Sequence, residues 1–541
     1  MDSFAITLGH NSSAVLIRDG KIVGGYEEER FTQRKSDSNF PINAISELDW
    51  RFNVQPNVTL CVSHWFPDGE IEAETKYWSF RKMRELFPEC QVMSLQSPTF
   101  THHDAHAQSA IVFAGNDFAP EYGIFVVDGF GTAAEHVSVY EKNKNGFQLK
   151  QRIHGYRYSL GLFYQYATAF CGMKMHQDEY KMLAYETHIR EVTGYEGKKE
   201  ILDKYVDNFS KYVYDVWGCG LRYKSLGPLD VARKHIEAEL SVFLEQFASS
   251  DDERERKILI SYFAQRHLEN MLRRLYVFYP FKNLLVVGGV FYNVKLNSLL
   301  CDLVPGKFCA MPLAGDQGAG LGVYQHYFGD LEWPGHLFWG HRTLNRSALS
   351  NVVGIEFVRS DEMASRIKRE IENVGFVNVV RGPMEFGPRA LCHTSTLALP
   401  SKSVGAQINK MNGRVNEMPF GLVVTLGIVS MLFKETSKVH RSLDYMIITR
   451  NFRKNHEFSL EGGAHYYSDI DTYTCRPQVT RDPVICEVLG NKGPLINTSL
   501  NAHGVPIVRS TNEVLYTHKK ESMNLRNVNF KTLIEEEVLS D

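Results

Sequence analysis

Short apolar runs, each closed by a cluster of small polar residues, recur through the first three fifths of the chain. Phe4 to Leu8, Ser13 to Ile17 and Lys21 to Gly25 alternate with turns, and Asp19-Gly20 supplies the positive backbone angles of a tight hairpin. The opening therefore predicts strand, loop, strand, turn, strand, with Gly9-His10-Asn11-Ser12-Ser13 as its first loop. Ile124 to Val127 runs into Asp128-Gly129-Phe130-Gly131-Thr132, and Leu284 to Val287 runs into Gly288-Gly289-Val290 and then Asn293. Met311-Pro312-Leu313 precedes a fourth such turn, Gly315-Asp316-Gln317-Gly318-Ala319-Gly320, and Ser241 to Tyr276 reads largely helical.

An apolar strand ending in a Gly/Asp/Ser loop suits a nucleotide fold, because small residues let backbone amides approach phosphates and carboxylates can hold the metal. Four of them in order, with helices between, predict a duplicated α/β fold of the actin, heat-shock chaperone and sugar-kinase kind. Ordinary strand-to-helix turns are the plainer alternative. From Gly329 to Asn351 the pattern dissolves into Trp, Pro, Gly and His, which predicts a linker and divides the chain into 1–345 and 352–541. Beyond it Val377 to Val380, Leu422 to Leu426 and Tyr445 to Thr449 predict strands of a second α/β domain.

At 541 residues the chain is several times the roughly 150 expected of one domain, so two or more domains fit. Sixty Lys and Arg against 63 Asp and Glu give a net charge of −3, which argues against disorder and a strongly basic polyanion binder. The longest nearly apolar run, Gly421 to Phe433, is short of the ~20 residues of a membrane span. The start MDSFAITLGH carries no basic signal region, so a cytoplasmic protein with no membrane partner is expected. Nine cysteines without a CxxC pair read as reduced thiols.

Candidate chemistry concentrates in the segment Thr101-His102-His103-Asp104-Ala105-His106-Ala107. If a helix begins there, His102 and His106 stand at i and i+4 on one face and can share a metal. Neutral imidazoles suit iron, nickel, cobalt or zinc, and carboxylates from Asp128 and Asp316 would complete a two-His, two-Asp set. A solvated helix start with Asp104 on its dipole is the bland alternative. His10, in the first loop, could take a proton from an acceptor hydroxyl, or could be a hydrogen-bonded loop histidine. Arg30, Arg34 and Lys35, after Glu27-Glu28-Glu29, read as a solvated charge run that could alternatively contact an anionic acceptor, and Glu535-Glu536-Glu537 reads as a solvated terminus. In Met384-Glu385-Phe386-Gly387-Pro388-Arg389-Ala390-Leu391, Arg389 opens a helix-like stretch and could bind an anion in bidentate fashion. Arg414, Arg476 and Asn497-Thr498-Ser499-Leu500-Asn501 could complete a phosphate pocket, provided they converge.

The segments TLGHNSSAVLIRDGKIVGGYEEERFTQRKSDSNFP, THHDAHAQSA, VVDGFGT, DEYKMLAYE, VVGGVFYNVKLN, PLAGDQGAGLG, MEFGPRAL and INTSLNAHGVPIV resemble, in the same order, those of the NodU/CmcH-type O-carbamoyltransferases. The resemblance implies a duplicated actin-like (ASKHA) first domain and a YrdC-like α/β second domain. It also implies that the second domain makes carbamoyladenylate from carbamoyl phosphate and ATP with Mg²⁺, and that the first delivers the carbamoyl group to an acceptor hydroxyl. By the same resemblance His102, His106, Asp128 and Asp316 match the ligands of an iron-type divalent metal, and His10 matches the catalytic histidine. Gly129, Gly288, Gly289 and Asn293 match the nucleotide turns, and Arg389, Arg476, Asn497, Ser499 and Asn501 match the donor pocket. The acceptor would be a sugar, an antibiotic-like alcohol or a hydroxymethyl-pyrimidine nucleotide. The assembly is left open, with a homodimer among the options.

Departures from the family pattern fall in the second domain. Thr394, Asn412, Met418 and His503 stand where cations are usual, Val505 replaces a Glu, and in the first loop Asn11 stands where Asp is common. Each charge-assisted bond is worth about 1.5 to 3 kcal/mol, so Lys410, Lys402 or Arg414 is expected to compensate, or the donor chemistry is altered. An actin-fold sugar-kinase-like phosphotransferase and a non-catalytic nucleotide-dependent binding protein are the alternative readings.

Overall fold

The computed structural model describes residues 1–66, 78–218, 229–249, 251–414, 420–453, 456–526 and 528–540. Strands β1 (Asp2–Thr7), β2 (Ser13–Arg18), β3 (Lys21–Glu27), β4 (Thr59–Trp65) and β5 (Gln91–Leu95) form a sheet in the order β3-β2-β1-β4-β5. The β1–β2 and β2–β3 pairs are antiparallel, while β1–β4 and β4–β5 are parallel.

A second sheet repeats the design with β6 (Tyr122–Val127), β7 (Glu135–Asn143), β8 (Gly146–His154), β9 (Leu284–Val287) and β10 (Phe308–Ala310), in the order β10-β9-β6-β7-β8. Again the first three strands are antiparallel neighbours, and the last two join in parallel. The same order and the same strand senses, twice, constitute the duplicated actin-like fold expected from the strand-and-turn pattern. Strands β6 and β9 are buried throughout, so their sequences are continuous apolar runs rather than alternating ones.

The C-terminal half is an α/β unit around a nine-stranded mixed sheet. Strands Ile355–Val358, Thr532–Glu535 and Phe376–Val380 run parallel, and Thr394–Ala398, Leu495–Ser499 and Gly421–Thr425 follow in antiparallel succession. The expected strand at Tyr445 to Thr449 is not one: Ser442–Tyr445 is a 3₁₀ turn and only Arg450–Asn451 pairs with a neighbour. The apolar run there packs instead against the helix Val294–Leu303, whose Asn297 side-chain amide donates to the Ile447 carbonyl at 2.6 Å. Leu426 begins a helix rather than ending a strand. The helical reading of Ser241 to Tyr276 resolves into two helices, Leu229–Phe247 and Glu253–Phe278.

Within the expected linker, Phe338–Gly340 pairs antiparallel with Met384–Glu385, and Trp339 and Arg342 are buried. A hydrophobic cluster runs without interruption from Phe125 and Val286 of the second sheet to Leu422 and Ile447 of the C-terminal half. Cross-half polar contacts reinforce it: Asp469 pairs with Arg266 and Arg273, and Arg450 pairs with Asp302. No helix among the described residues is long and apolar enough to cross a membrane.

Candidate metal centre and anion cavity

Thr101 caps the helix His102–Ala114 in a reciprocal capping box with Asp104, which fixes where the helix begins and puts His102 in its first turn. Buried Glu135 adds to this anchoring by accepting from the Thr101 hydroxyl at 3.0 Å and the His103 amide at 2.8 Å. One helical turn later His106 follows, with Nε2 3.0 Å from Nε2 of His102. Strand β6 delivers Asp128 at its end, and the turn after β10 delivers Asp316. His102 Nε2 lies 3.4 Å from Asp128 Oδ2 and 3.3 Å from Asp316 Oδ1, and His106 Nε2 lies 3.7 and 3.5 Å from the same two atoms. One ligand atom from each of the four residues falls within 4.8 Å of all the others.

These spacings are those of a coordination shell. Ligands about 2.1 Å from a common centre lie about 3.4 Å apart in a tetrahedron. Two imidazole nitrogens facing each other beside two carboxylates make a donor set for a divalent first-row ion. Burial disfavours the His102 imidazolium, yet Asp316 and Asp128 outweigh it and hold His102 well above the ordinary histidine value. Burial likewise works against the Asp128 carboxylate, but His102 and His106 hold it well below the usual range.

The glycines of the sequence motif divide their work. A side chain on Gly288, at φ +103°, would meet the Val127 carbonyl oxygen at 2.3 Å, so this glycine permits close approach of the β9 turn to β6. Gly289 donates its amide to Asp128 Oδ1 at 3.2 Å and so orients one carboxylate of the candidate metal centre. Asn293 caps the helix Val294–Leu303 by accepting from the Lys295 and Leu296 amides and donates to Gln265 at 2.6 Å. His10 stands at the edge of the cluster, its Nε2 3.5 Å from Asp316 Oδ2, with its ring 4.7 Å from that of His176.

A cavity of about 400 Å³ extends from Asp128, at the edge of this cluster, to the C-terminal half. His10, Asp128, Gly129, Gly289 and Asn293 line it from one side, and Arg389, Arg414, Arg476, Asn497, Ser499 and Asn501 from the other. Arg414 donates to the Thr498 hydroxyl at 2.7 Å and to the Ser499 hydroxyl at 3.2 Å. Among the described residues none of the three arginines has a carboxylate oxygen within 4.0 Å. Burial, and then the neighbouring Arg389 charge, push Arg476 down to about 9, and burial also lowers Arg389 and Arg414. Three clustered guanidinium groups without an acid are a site for a polyanion.

Several expectations are corrected. Lys410 and Lys402 are exposed on the helix Lys402–Asn412 and do not reach the cavity. Arg389 opens no helix; it lies in irregular chain, and its convergence with Arg414 and Arg476 replaces a helix terminus as the source of positive potential. The Glu27-Glu28-Glu29 run is not solvated: Arg30 is 1% exposed, donates to Glu27 at 2.7 Å and also to the Gly387 carbonyl, joining the two halves. Buried Glu535 accepts from the Gly382 amide at 2.7 Å rather than forming a solvated terminus.

At the altered positions, Thr394 is buried and accepts from Arg342 at 2.7 Å, Asn412 is buried, His503 lines the cavity, and Met418 lies outside the described residues. Sequence reasoning missed Lys35, His176, Glu179, Tyr180 and Lys295 as cavity residues. Lys35 carried a signal as the end of a charge run, and Glu179, Tyr180 and Lys295 lay within the family-like segments DEYKMLAYE and VVGGVFYNVKLN.

Residues 73–324 match the family model described as carbamoyltransferase N-terminus, and residues 368–534 match carbamoyltransferase C-terminus. The chain is 28% identical to an uncharacterized protein of Methanocaldococcus jannaschii, covering 95% of both chains. It is 25% identical to the nodulation protein NolO of Bradyrhizobium diazoefficiens, over 77% of this chain and 75% of that one. With the 3'-hydroxymethylcephem-O-carbamoyltransferase of Amycolatopsis lactamdurans it shares 27% identity, over 44% of this chain and 46% of that one.

Proposed function

Since this chain belongs to the carbamoyltransferase family, we propose that it is an ATP-dependent O-carbamoyltransferase that activates carbamoyl phosphate as carbamoyladenylate and delivers the carbamoyl group to a small-molecule hydroxyl. The observation that carries the proposal is a cavity lined by Arg389, Arg414 and Arg476 on one side and by His10 and Asp128, at the edge of the two-His, two-Asp cluster, on the other. A phosphotransferase of the sugar-kinase kind would leave those C-terminal arginines without a role.

In the proposed sequence, water converts carbamoyl phosphate to carbamate and phosphate, and a carbamate oxygen attacks the α-phosphorus of ATP as pyrophosphate leaves. Arg389, Arg414 and Arg476 hold the anions and stabilise charge on the leaving groups. The mixed anhydride then faces the N-terminal half without crossing bulk water, which would hydrolyse it. The acceptor oxygen attacks the carbamoyl carbon, the bond to the AMP oxygen breaks, and His10 takes the hydroxyl proton. His102, His106, Asp128 and Asp316 would hold a divalent metal whose chemistry is polarisation of the carbamoyl or phosphoryl oxygen.

The test is pyrophosphate release from ATP with carbamoyl phosphate under metal-replete conditions, alone and with acceptors. Release that depends on carbamoyl phosphate supports the assignment, and no release in either case overturns it. A panel of sugars, alcohols and nucleotides, screened by mass for one added carbamoyl group, would identify the acceptor.

A further inference from the structure

His503 lies in the loop after the strand Leu495–Ser499 and lines the cavity beside Ser499, Asn501 and Arg414. The charged groups around its ring come from three other elements. Lys35 arrives from the segment after β3, Asp178 and Lys181 from the start of the helix Glu179–Glu186, and Arg414 from the end of the helix Lys402–Asn412. Lys181 is already engaged by Asp178 at 2.8 Å. Lys35 reaches over the Tyr180 ring, and Arg414 is held by the Thr498 and Ser499 hydroxyls. Among the described residues, Lys35 and Arg414 thus bring positive charge from the two halves toward one part of the cavity, and the His503 ring adds a third nitrogen base to it.

A neutral imidazole among cations is stable only while the space between them is free of anion. Burial, with Lys181, Arg414 and Lys35 behind it, lowers the proton affinity of His503, and Asp178 opposes this only in part. A phosphate oxygen placed between Lys35, Arg414 and His503 would offset that repulsion and accept a hydrogen bond from the protonated ring.

We propose that His503 is a further ligand for the anionic group of the donor, and that its ring takes up a proton when the anion binds, so that donor affinity depends on pH. The proposal rests on the carbamoyl-transfer reading and specifies how the same site is regulated.

Titration calorimetry of the intact protein with carbamoyl phosphate, in buffers of different ionisation heat, reads the proton uptake directly. Uptake of about half a proton is expected near pH 7, with affinity falling about 5- to 10-fold between pH 6 and pH 8. His503→Gln should abolish the uptake and flatten the profile. His503→Arg, charged throughout, should also be flat and should bind more tightly than the parent protein at pH 8. Uptake that survives in both variants would overturn the role of His503 while leaving carbamoyl transfer intact. A parent protein that neither binds carbamoyl phosphate nor releases pyrophosphate would overturn the reading on which the proposal stands. Circular dichroism of each variant separates loss of fold from loss of the ligand.

Discussion

His102 and His106 share a task that neither could perform without the other, because two Nε2 atoms 3.0 Å apart need something positive between them or a proton on one of them. The double change His102→Ala with His106→Ala is expected to reduce bound first-row metal from about one per chain to near none, read by elemental analysis. Unchanged metal content would remove the ligand assignment. Arg389 and Arg476 act on the other end of the cavity as uncompensated charges. Replacing either with Met removes a charge-assisted contact worth about 1.5 to 3 kcal/mol, so ATP or carbamoyl phosphate affinity should fall about 10- to 100-fold. The protein itself should become no less stable, since a half-buried cation with no carboxylate within 4.0 Å among the described residues has been deleted. Calorimetric binding and a melting curve on the same variant check both statements. The sequence singled out these residues by type and spacing, but it could not distinguish Lys410 from Lys35, because exposure depends on which way the chain faces once folded.

At the scale of elements, the end of strand Phe376–Val380 and the start of helix Pro483–Lys492 are tied by Asp482. Its carboxylate accepts from the Ile485 amide at 3.0 Å as the helix cap and from Arg381 at 2.8 Å. Burial raises the carboxyl, but His393 and Arg381 outweigh it and hold it below the ordinary value of 3.8. The sign follows: the folded form binds this proton less tightly than the unfolded form, so the stabilisation is complete above about pH 4 and is lost as the pH falls below it. Asp482→Asn should therefore lose stability at pH 7 and show a shallower decline from pH 4 to pH 2, measured by denaturant titrations across that range. The helix of the histidine pair was legible because a capping box and i, i+4 spacing are local signals. The strand expected at Tyr445 to Thr449 was not, because apolar residues there serve docking onto a helix of the N-terminal half rather than pairing within their own sheet.

Over the whole molecule, the halves are stitched rather than hinged. His440 and Ser442 bond to β10 of the second actin-like sheet, the His440 amide donating to the Phe308 carbonyl at 2.8 Å, and 447–450 lie against the helix Val294–Leu303. Asp469 sits 3% exposed between Arg266 and Arg273 of the other half. Removing one partner of so buried a set leaves uncompensated charge and costs about 3 to 5 kcal/mol, so Asp469→Ala should lower the melting temperature by several degrees. Limited proteolysis should then show earlier cleavage between the halves, whereas an unaltered melting curve would mean that hydrophobic packing alone fixes the cavity. What the amino-acid sequence determined by itself was the duplicated strand-and-turn pattern, the histidine pair, the two aspartate turns and the arginines, because each is written in spacing of a few residues. The tertiary structure alone decided that the arginines, His10 and Asp128 line a common space, that the acidic run and Arg30 are buried across the junction, and that Lys35 and His503 line that same space. Those outcomes depend on how two halves more than 300 positions apart in the chain pack together, and local pattern carries no information about that distance.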